Sequence, residues 1–259
     1  MGLDRLREER TQIHIEGILL PENIDCLYSP NRIEFRENEK SFIEREWEKE
    51  VKRDPKTFDG KLFHVKSHSF SQSGLVLNTC KSSFKEWLGT KNRSFKDVLG
   101  ASENRIIRPL SIGSMIVTAD NKWVIGRRVK AHGFIGQYAV VGGYMDPDND
   151  LLNSKPDPFF AVKREIEEET GIDKKWDIDN VICLGLNDID QPYLAFNAHL
   201  KISYEELISK TPEERELGKL EAYDYEKQII RNFVLSNYKD LTPHTLANML
   251  MSHKLLTRS

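Results

Sequence analysis

The sequence predicts an α/β protein, a mixed sheet between helices, preceded by a smaller N-terminal α+β domain. Three observations predict it. Strand-like and helix-like periods alternate regularly beyond about residue 105. A glycine pair, Gly142-Gly143, ends one strand pattern ahead of a polar loop, and an acidic helical pattern then runs from Pro158 to Gly171. A chain of 259 residues holds a unit of ordinary domain size with about a hundred residues left over. Two domains, over 1–105 and 106–259, or one domain with a large N-terminal extension, are therefore expected.

The elements follow in order. Ile13, Ile15 and the run Ile18 to Leu20 predict a strand that Pro21 ends. Ile43, Trp47 and Val51 recur every fourth position, which predicts an amphipathic helix from Asn38, as its cap, to Lys52, stopped by Asp54-Pro55. Leu62 to Phe70 and Leu75 to Cys80 read as strands around a Ser73-Gly74 turn, and short helices follow at 83–88 and 95–99. In the second domain a strand over 110–118 turns at Asp120-Asn121 and returns over 123–128. Further strands at 181–186 and 193–202 and a helix over 243–256 complete the pattern.

Composition narrows the function classes. A formal charge of -3 and a pI near 6.2 supply no general attraction for nucleic acid or an anionic membrane, so neither partner is expected. No apolar run approaches a membrane span, the charged start lacks a signal-peptide core, and Leu6 stands where a myristoylation signal needs Ser or Thr. A cytoplasmic protein without a lipid anchor is expected. Cys26, Cys80 and Cys183 are widely spaced among strand-like neighbours and read as buried thiols. His64 and His68 have ligand spacing only for a helix and lie in a strand pattern, so no metal is assigned to them.

Chemistry concentrates in Arg164-Glu165-Ile166-Glu167-Glu168-Glu169-Thr170-Gly171-Ile172. On a helix Glu165, Glu168 and Glu169 stand at i, i+3 and i+4 and project from one face, where like charges repel unless a cation lies between them. Hard carboxylate oxygens suit Mg²⁺, with Mn²⁺ able to substitute, and that metal suggests a phosphate-bearing substrate. Phe159, Val162 and Ile166 form an apolar stripe beside the acid, Asp157 and Pro158 suit the helix start, Gly171 suits its stop, and Lys163 can pair with Glu167 in water. A glutamate run alone is usually solvated surface. The full pattern R-E-U-x-E-E-x-G-U, with U aliphatic, arises by chance in such a chain on the order of once in ten thousand.

That pattern is the core of the Nudix box, and the chain resembles the Nudix hydrolase superfamily. The resemblance implies an α/β/α sandwich and a Mg²⁺-dependent hydrolase of nucleoside diphosphate derivatives. Glu165 and Glu169 are the first expected ligands, Glu168 the third, and the backbone carbonyl near Gly143 a further one implied by the family. Arg164 suits bidentate pairing that orients a motif carboxylate, with substrate contact as the alternative. Arg127, Arg128 and Lys130 close a predicted strand where they can reach phosphates, or else form solvated surface. Asp188 and Asp190 follow the strand ending at Leu186, from which a general base could face the metal; turn chemistry is the plainer reading. The chain departs from the family in two ways. Pro156 stands where the box has another Glu, and the stretch from Gly143 to Arg164 is longer than usual, filled by Asp146, Asp148 and Asp150 among turn formers.

The stretched box, and the order of Ile43, Trp47, Phe58-Asp59, Phe63, Phe84, Leu88-Gly89-Thr90, Arg108-Pro109-Leu110, Thr118-Ala119-Asp120, Arg127-Arg128, Gly142-Gly143 and Gly185, resemble the animal UDP-glucose (UDP-sugar) diphosphatase branch, which carries an N-terminal extension. This implies cleavage of UDP-glucose or UDP-galactose to UMP and hexose 1-phosphate. Alternatives within the superfamily are ADP-ribose, NADH, a dinucleoside polyphosphate or coenzyme A. A non-catalytic nucleotide-sugar sensor is the alternative from another class, against which three close carboxylates argue. A monomer or homodimer fits either reading.

Overall fold

Ser111 to Val117 is buried at every position, as a strand covered on both faces should be. In the computed structural model, which describes residues 2–71, 74–130, 133–188, 191–213 and 215–258, that strand lies inside an eight-stranded mixed sheet. In chain order the elements are α1 (Leu3–Arg10), β1 (Ile13–Leu19), β2 (Ile24–Ser29), α2 (Glu37–Arg53), β3 (Lys61–Ser71), β4 (Gly74–Ser83), α3 (Phe84–Thr90) and α4 (Arg93–Leu99). Next come β5 (Ser111–Val117), β6 (Lys122–Arg128), β7 (Tyr138–Ala139), β8 (Val141–Tyr144), β9 (Leu151–Leu152), β10 (Lys155–Pro156) and α5 (Pro158–Thr170). The chain ends with β11 (Ile178–Asn187), β12 (Tyr193–Leu200), α6 (Tyr204–Lys210), β13 (Leu217–Asp224), α7 (Lys227–Asn237) and α8 (Pro243–Arg258).

Contacts divide the chain into two units. The larger comprises 1–22, 111–143 and 158–259, and the smaller 23–110 and 144–157. The division by contacts does not run in sequence order, because long-range pairing overrides it at two places. β1 pairs antiparallel with β11, matching Ile15 to Leu186 and Leu19 to Cys183, so the N-terminus belongs to the larger sheet. The Asp-rich stretch after Gly143 is held in the smaller unit, where Met145 O accepts from Phe63 N at 3.2 Å and Met145 N donates to Leu110 O at 3.0 Å.

In the larger unit the strand order is β1-β11-β12-β5-β6-β13, with β7 on β6 and β8 on β5. β12 and β5 are parallel and the other strand pairs with recorded register are antiparallel. Alternating side chains of β12 face two helical layers. Phe196 meets Phe159 of α5 edge-on at 5.2 Å. Asn197 accepts from Ser252 of α8 at 2.7 Å, and Asn248 of α8 donates to Gly113 O at 3.0 Å and Phe196 O at 3.1 Å. The expected mixed α/β class, with helices on both faces of the sheet, holds.

The smaller unit has a three-stranded sheet, β2-β4-β3, beside α2, α3 and α4, plus the β9-β10 hairpin. α2 begins at Glu37 under Arg36, a residue or two before the expected Asn38 cap, since Arg36 N donates to the buried Glu39 carboxylate at 2.7 Å. Ser73 of the expected turn lies outside the described residues. Elements that sequence periodicity did not predict are α1, β2, β9, β10, α6, β13 and α7. All three cysteines are buried, and burial pushes the Cys183 thiol up to about 12. Among the described residues no helix is long and apolar enough to cross a membrane.

Candidate active site

α5 presents the acidic run as the spacing requires. Pro158 opens it, and Gly171, at φ +70, stops it while its amide donates to Glu167 O at 2.8 Å. Phe159, Val162 and Ile166 are buried; at about 1.5–3 kcal/mol for each such side chain, that stripe anchors the helix and leaves the neighbouring face for Arg164, Glu165, Glu168 and Glu169. Glu167 pairs with Lys174 at 2.6 Å across the helix end, not with Lys163 as the i, i+4 spacing suggested.

Arg164 joins two of the carboxylates. Its Nη2 lies 3.0 Å from Glu165 Oε1 and its Nη1 2.8 Å from Glu168 Oε2. Arg164 and Glu165 have side chains only 14% and 13% exposed, whereas Glu168 is 56% exposed. The Arg164–Glu165 contact is therefore the better shielded of the two. Glu169 turns toward the start of β13 and accepts the amides of Glu216 at 3.3 Å and Leu217 at 3.4 Å.

The glycine pair sets how closely main chain approaches this helix. A Cβ at Gly142 would stand 2.2 Å from Ile112 O of β5, and one at Gly143 would stand 2.6 Å from Glu165 Oε1. Backbone and carboxylate thus meet where the sequence expected a main-chain ligand. Three carboxylates and a carbonyl are all hard oxygen donors, and the Cβ-free approach at 143 leaves room that a side chain would fill; both fit Mg²⁺ or Mn²⁺ better than a soft metal.

The expected cations separate in role. Arg127 donates to Gly136 O at 2.7 Å and lies 3.7 Å from the Tyr138 ring centroid. Arg128 pairs with Glu216 at 3.1 Å. Lys130 is exposed, and its amide and that of Val129 donate to Glu216 O at 3.2 and 2.8 Å. Glu216, which sequence reasoning missed, therefore connects the 128–130 segment to Glu169. No short motif marks it; these contacts span 47 and 88 positions of chain.

Asp188 follows β11, and its amide donates to Gln12 O at 2.9 Å. Asp190 lies outside the described residues. Asp146, Asp148 and Asp150 serve turn chemistry in the smaller unit: Asp150 accepts from Asp146 N and Asp146 from Asp148 N, each at 2.8 Å, and Asp148 pairs with Lys61. Asn153 and Ser154, both at positive φ, then turn the β9-β10 hairpin in which Pro156 pairs with Leu151. The residues that stretch the box are thus a folded hairpin. His64 is a buried structural acceptor for Arg108 N at 2.8 Å, and burial, reinforced by the Arg108 charge, lowers its pKa to about 4.

Among solved structures, those similar to this chain include Nudix hydrolases. RenU, a Nudix hydrolase from M. Smegmatis, is 14% identical at a TM-score of 0.40, over 58% of this chain and 87% of its own. The NUDIX domain of Shewanella oneidensis NrtR, solved with ADP ribose, is 13% identical at 0.38, over 64% and 99%. The MutT protein from Methanosarcina mazei Go1 is 17% identical at 0.33, over 57% and 92%. No family model matches the sequence, and no curated protein matches it.

Proposed function

We propose that the chain is a Mg²⁺-dependent Nudix-type diphosphatase that cleaves UDP-glucose or UDP-galactose to UMP and hexose 1-phosphate. The observation that carries the reading is the folded motif itself: Arg164 forks between Glu165 and Glu168 while the Gly143 main chain closes on Glu165. Glu165, Glu168, Glu169 and the Gly143 carbonyl would hold the metal. When bound, Mg²⁺ supplies the positive charge that makes a diphosphate phosphorus susceptible to water and offsets the charge that develops on its oxygens.

The chain's own groups supply the rest. Arg164 holds Glu165 and Glu168 side by side, so that neither must be reoriented at each turnover. Arg127, Arg128 and Lys130 are assigned to the diphosphate, with Lys130 the most exposed of the three. Water adds across the P–O–P bridge, one P–O bond breaks, and two phosphate monoesters leave. The uridine and the sugar rest on the resemblance of the stretched box to the UDP-sugar branch, and the same site chemistry serves the other superfamily substrates.

The test is incubation with Mg²⁺ and, separately, UDP-glucose, UDP-galactose, ADP-ribose, NADH, a dinucleoside tetraphosphate and coenzyme A, with products resolved by anion exchange. Release of UMP and hexose 1-phosphate, faster than turnover of the others, is expected. Preference for another compound would move the assignment within the superfamily. No turnover of any, with a nucleotide-sugar-induced rise in melting temperature, would make the chain a binding protein.

A further inference from the structure

Of the three α5 carboxylates, Glu169 is the one that Arg164 does not hold. Among the described residues its partners are two main-chain amides, Glu216 N at 3.3 Å from Oε1 and Leu217 N at 3.4 Å from Oε2. Both bonds lie at the long end of the N–H···O range. A small shift of the 216–217 main chain would break them, so the carboxylate is only as well placed as that main chain.

Glu216 stands just before β13, and the strand ladder does little to fix it. Leu217 pairs with Arg128 of β6, and the register then slips before Leu220 meets Gly126. The end of β6 and the segment beyond it hold Glu216 instead. Its carbonyl accepts from Val129 N at 2.8 Å and Lys130 N at 3.2 Å, and its carboxylate accepts from Arg128 Nη2 at 3.1 Å. On its other side Arg215 donates to Gly218 O through Nε at 3.2 Å and Nη2 at 2.9 Å. A run of hydrogen bonds therefore leads from the Arg128 guanidinium through Glu216 to Glu169. Arg128 also offsets the negative charge that Glu216 brings close to the acidic helix.

We propose that Arg128 is a positioning residue for the metal: acting through Glu216, it holds the 216–217 amides where they orient Glu169 toward the divalent cation. This rests on the metal site of the diphosphatase reading. It assigns Arg128 to the metal ligands and leaves the diphosphate to Arg127 and Lys130. The sign of the effect separates positioning from simple charge. A nearby cation repels a metal ion, so its removal alone would raise metal affinity; loss of a group that orients a ligand lowers it.

Mn²⁺ titration of the full chain, followed by the electron paramagnetic resonance signal of the free ion, tests this on wild type, Arg128→Met, Glu216→Met and the double variant, each checked for fold by circular dichroism. Affinity should fall about tenfold in Arg128→Met. In the Glu216→Met background the same change should cost nothing further, because the two residues act through one contact. Arg128→Lys keeps the charge but not the planar fork; its affinity should also fall, and it carries the test if Arg128→Met does not fold. Unchanged or raised affinity in a folded Arg128 variant, or a further tenfold fall in the double variant, would overturn the proposal, as would wild type that binds no Mn²⁺. Turnover separates the two readings. Wild type that hydrolyses UDP-glucose while Arg128→Met keeps wild-type Mn²⁺ affinity sinks only the positioning role; wild type that hydrolyses no nucleotide while Mn²⁺ affinity depends on Arg128 sinks only the diphosphatase.

Discussion

Gly143 and Glu165 are in such close approach that a methyl group on the glycine would stand 2.6 Å from Glu165 Oε1 and 2.8 Å from its carboxyl carbon. The obstacle is the far end of a flexible side chain, so Gly143→Ala should fold with a melting temperature close to wild type but push Glu165 aside. Mg²⁺ affinity, read by calorimetry, should fall about tenfold or more, the effect expected when a ligand's surroundings are disturbed. Gly142→Ala meets backbone instead, at Ile112 O and the Gly113 Cα, and should destabilise by several kcal/mol, about the cost of overpacking. Equal melting temperatures for the two variants would contradict this division of roles.

Arg164 holds two carboxylates that would otherwise face each other at i, i+3. Replacing it with Lys keeps one charge but loses the planar fork. Because Glu168 is largely exposed, the stability cost should be modest, about 1 kcal/mol, or a few degrees in melting temperature. The larger effect should be on Mg²⁺ affinity and kcat. A variant with wild-type metal affinity would show that the fork does not organise the ligands.

His64 makes stability depend on pH in a defined window. Its folded pKa is lowered from 6.5 to about 4 by burial and then by the Arg108 charge. Between those values the unfolded chain takes up a proton that the folded chain does not, so stability is full above about pH 6.5 and falls as pH drops toward 4, by about 3 kcal/mol at most for a shift of this size. Protonating Nδ1 would also turn the acceptor of Arg108 N into a donor facing it. His64→Asn, which keeps an acceptor there without titrating, should lose less stability than wild type between pH 7 and 4.5 in urea titrations. Identical pH slopes would count against the assignment.

The acidic helix was legible because every signal for it is local: Pro158 at the start, the Phe159, Val162 and Ile166 stripe, and Gly171 at the stop. The β5-β6 hairpin was legible for the same reason, with Asn121 at φ 58 in its turn. What escaped depends on pairing across long stretches of chain. β1 reads as a strand, yet nothing local says that its partner is β11, and the stretched box reads as a loop until the hairpin at Asn153 and Ser154 is seen. Glu216 shows the same limit within the site, since its amide reaches Glu169 and its carboxylate Arg128 only after the sheet has formed.

The central claim is that the α5 carboxylates hold a catalytic divalent cation. It is tested most directly by following UDP-glucose by phosphorus NMR with the wild-type protein and with the Glu165→Gln, Glu169→Gln double variant, in Mg²⁺ and in excess chelator. Conversion of the diphosphate signals to those of UMP and glucose 1-phosphate is expected with wild type in Mg²⁺ only, and no conversion by a double variant that retains the wild-type circular dichroism spectrum. Wild-type turnover in excess chelator, or a double variant within about tenfold of wild type, a barrier change of only about 1.4 kcal/mol, would contradict it.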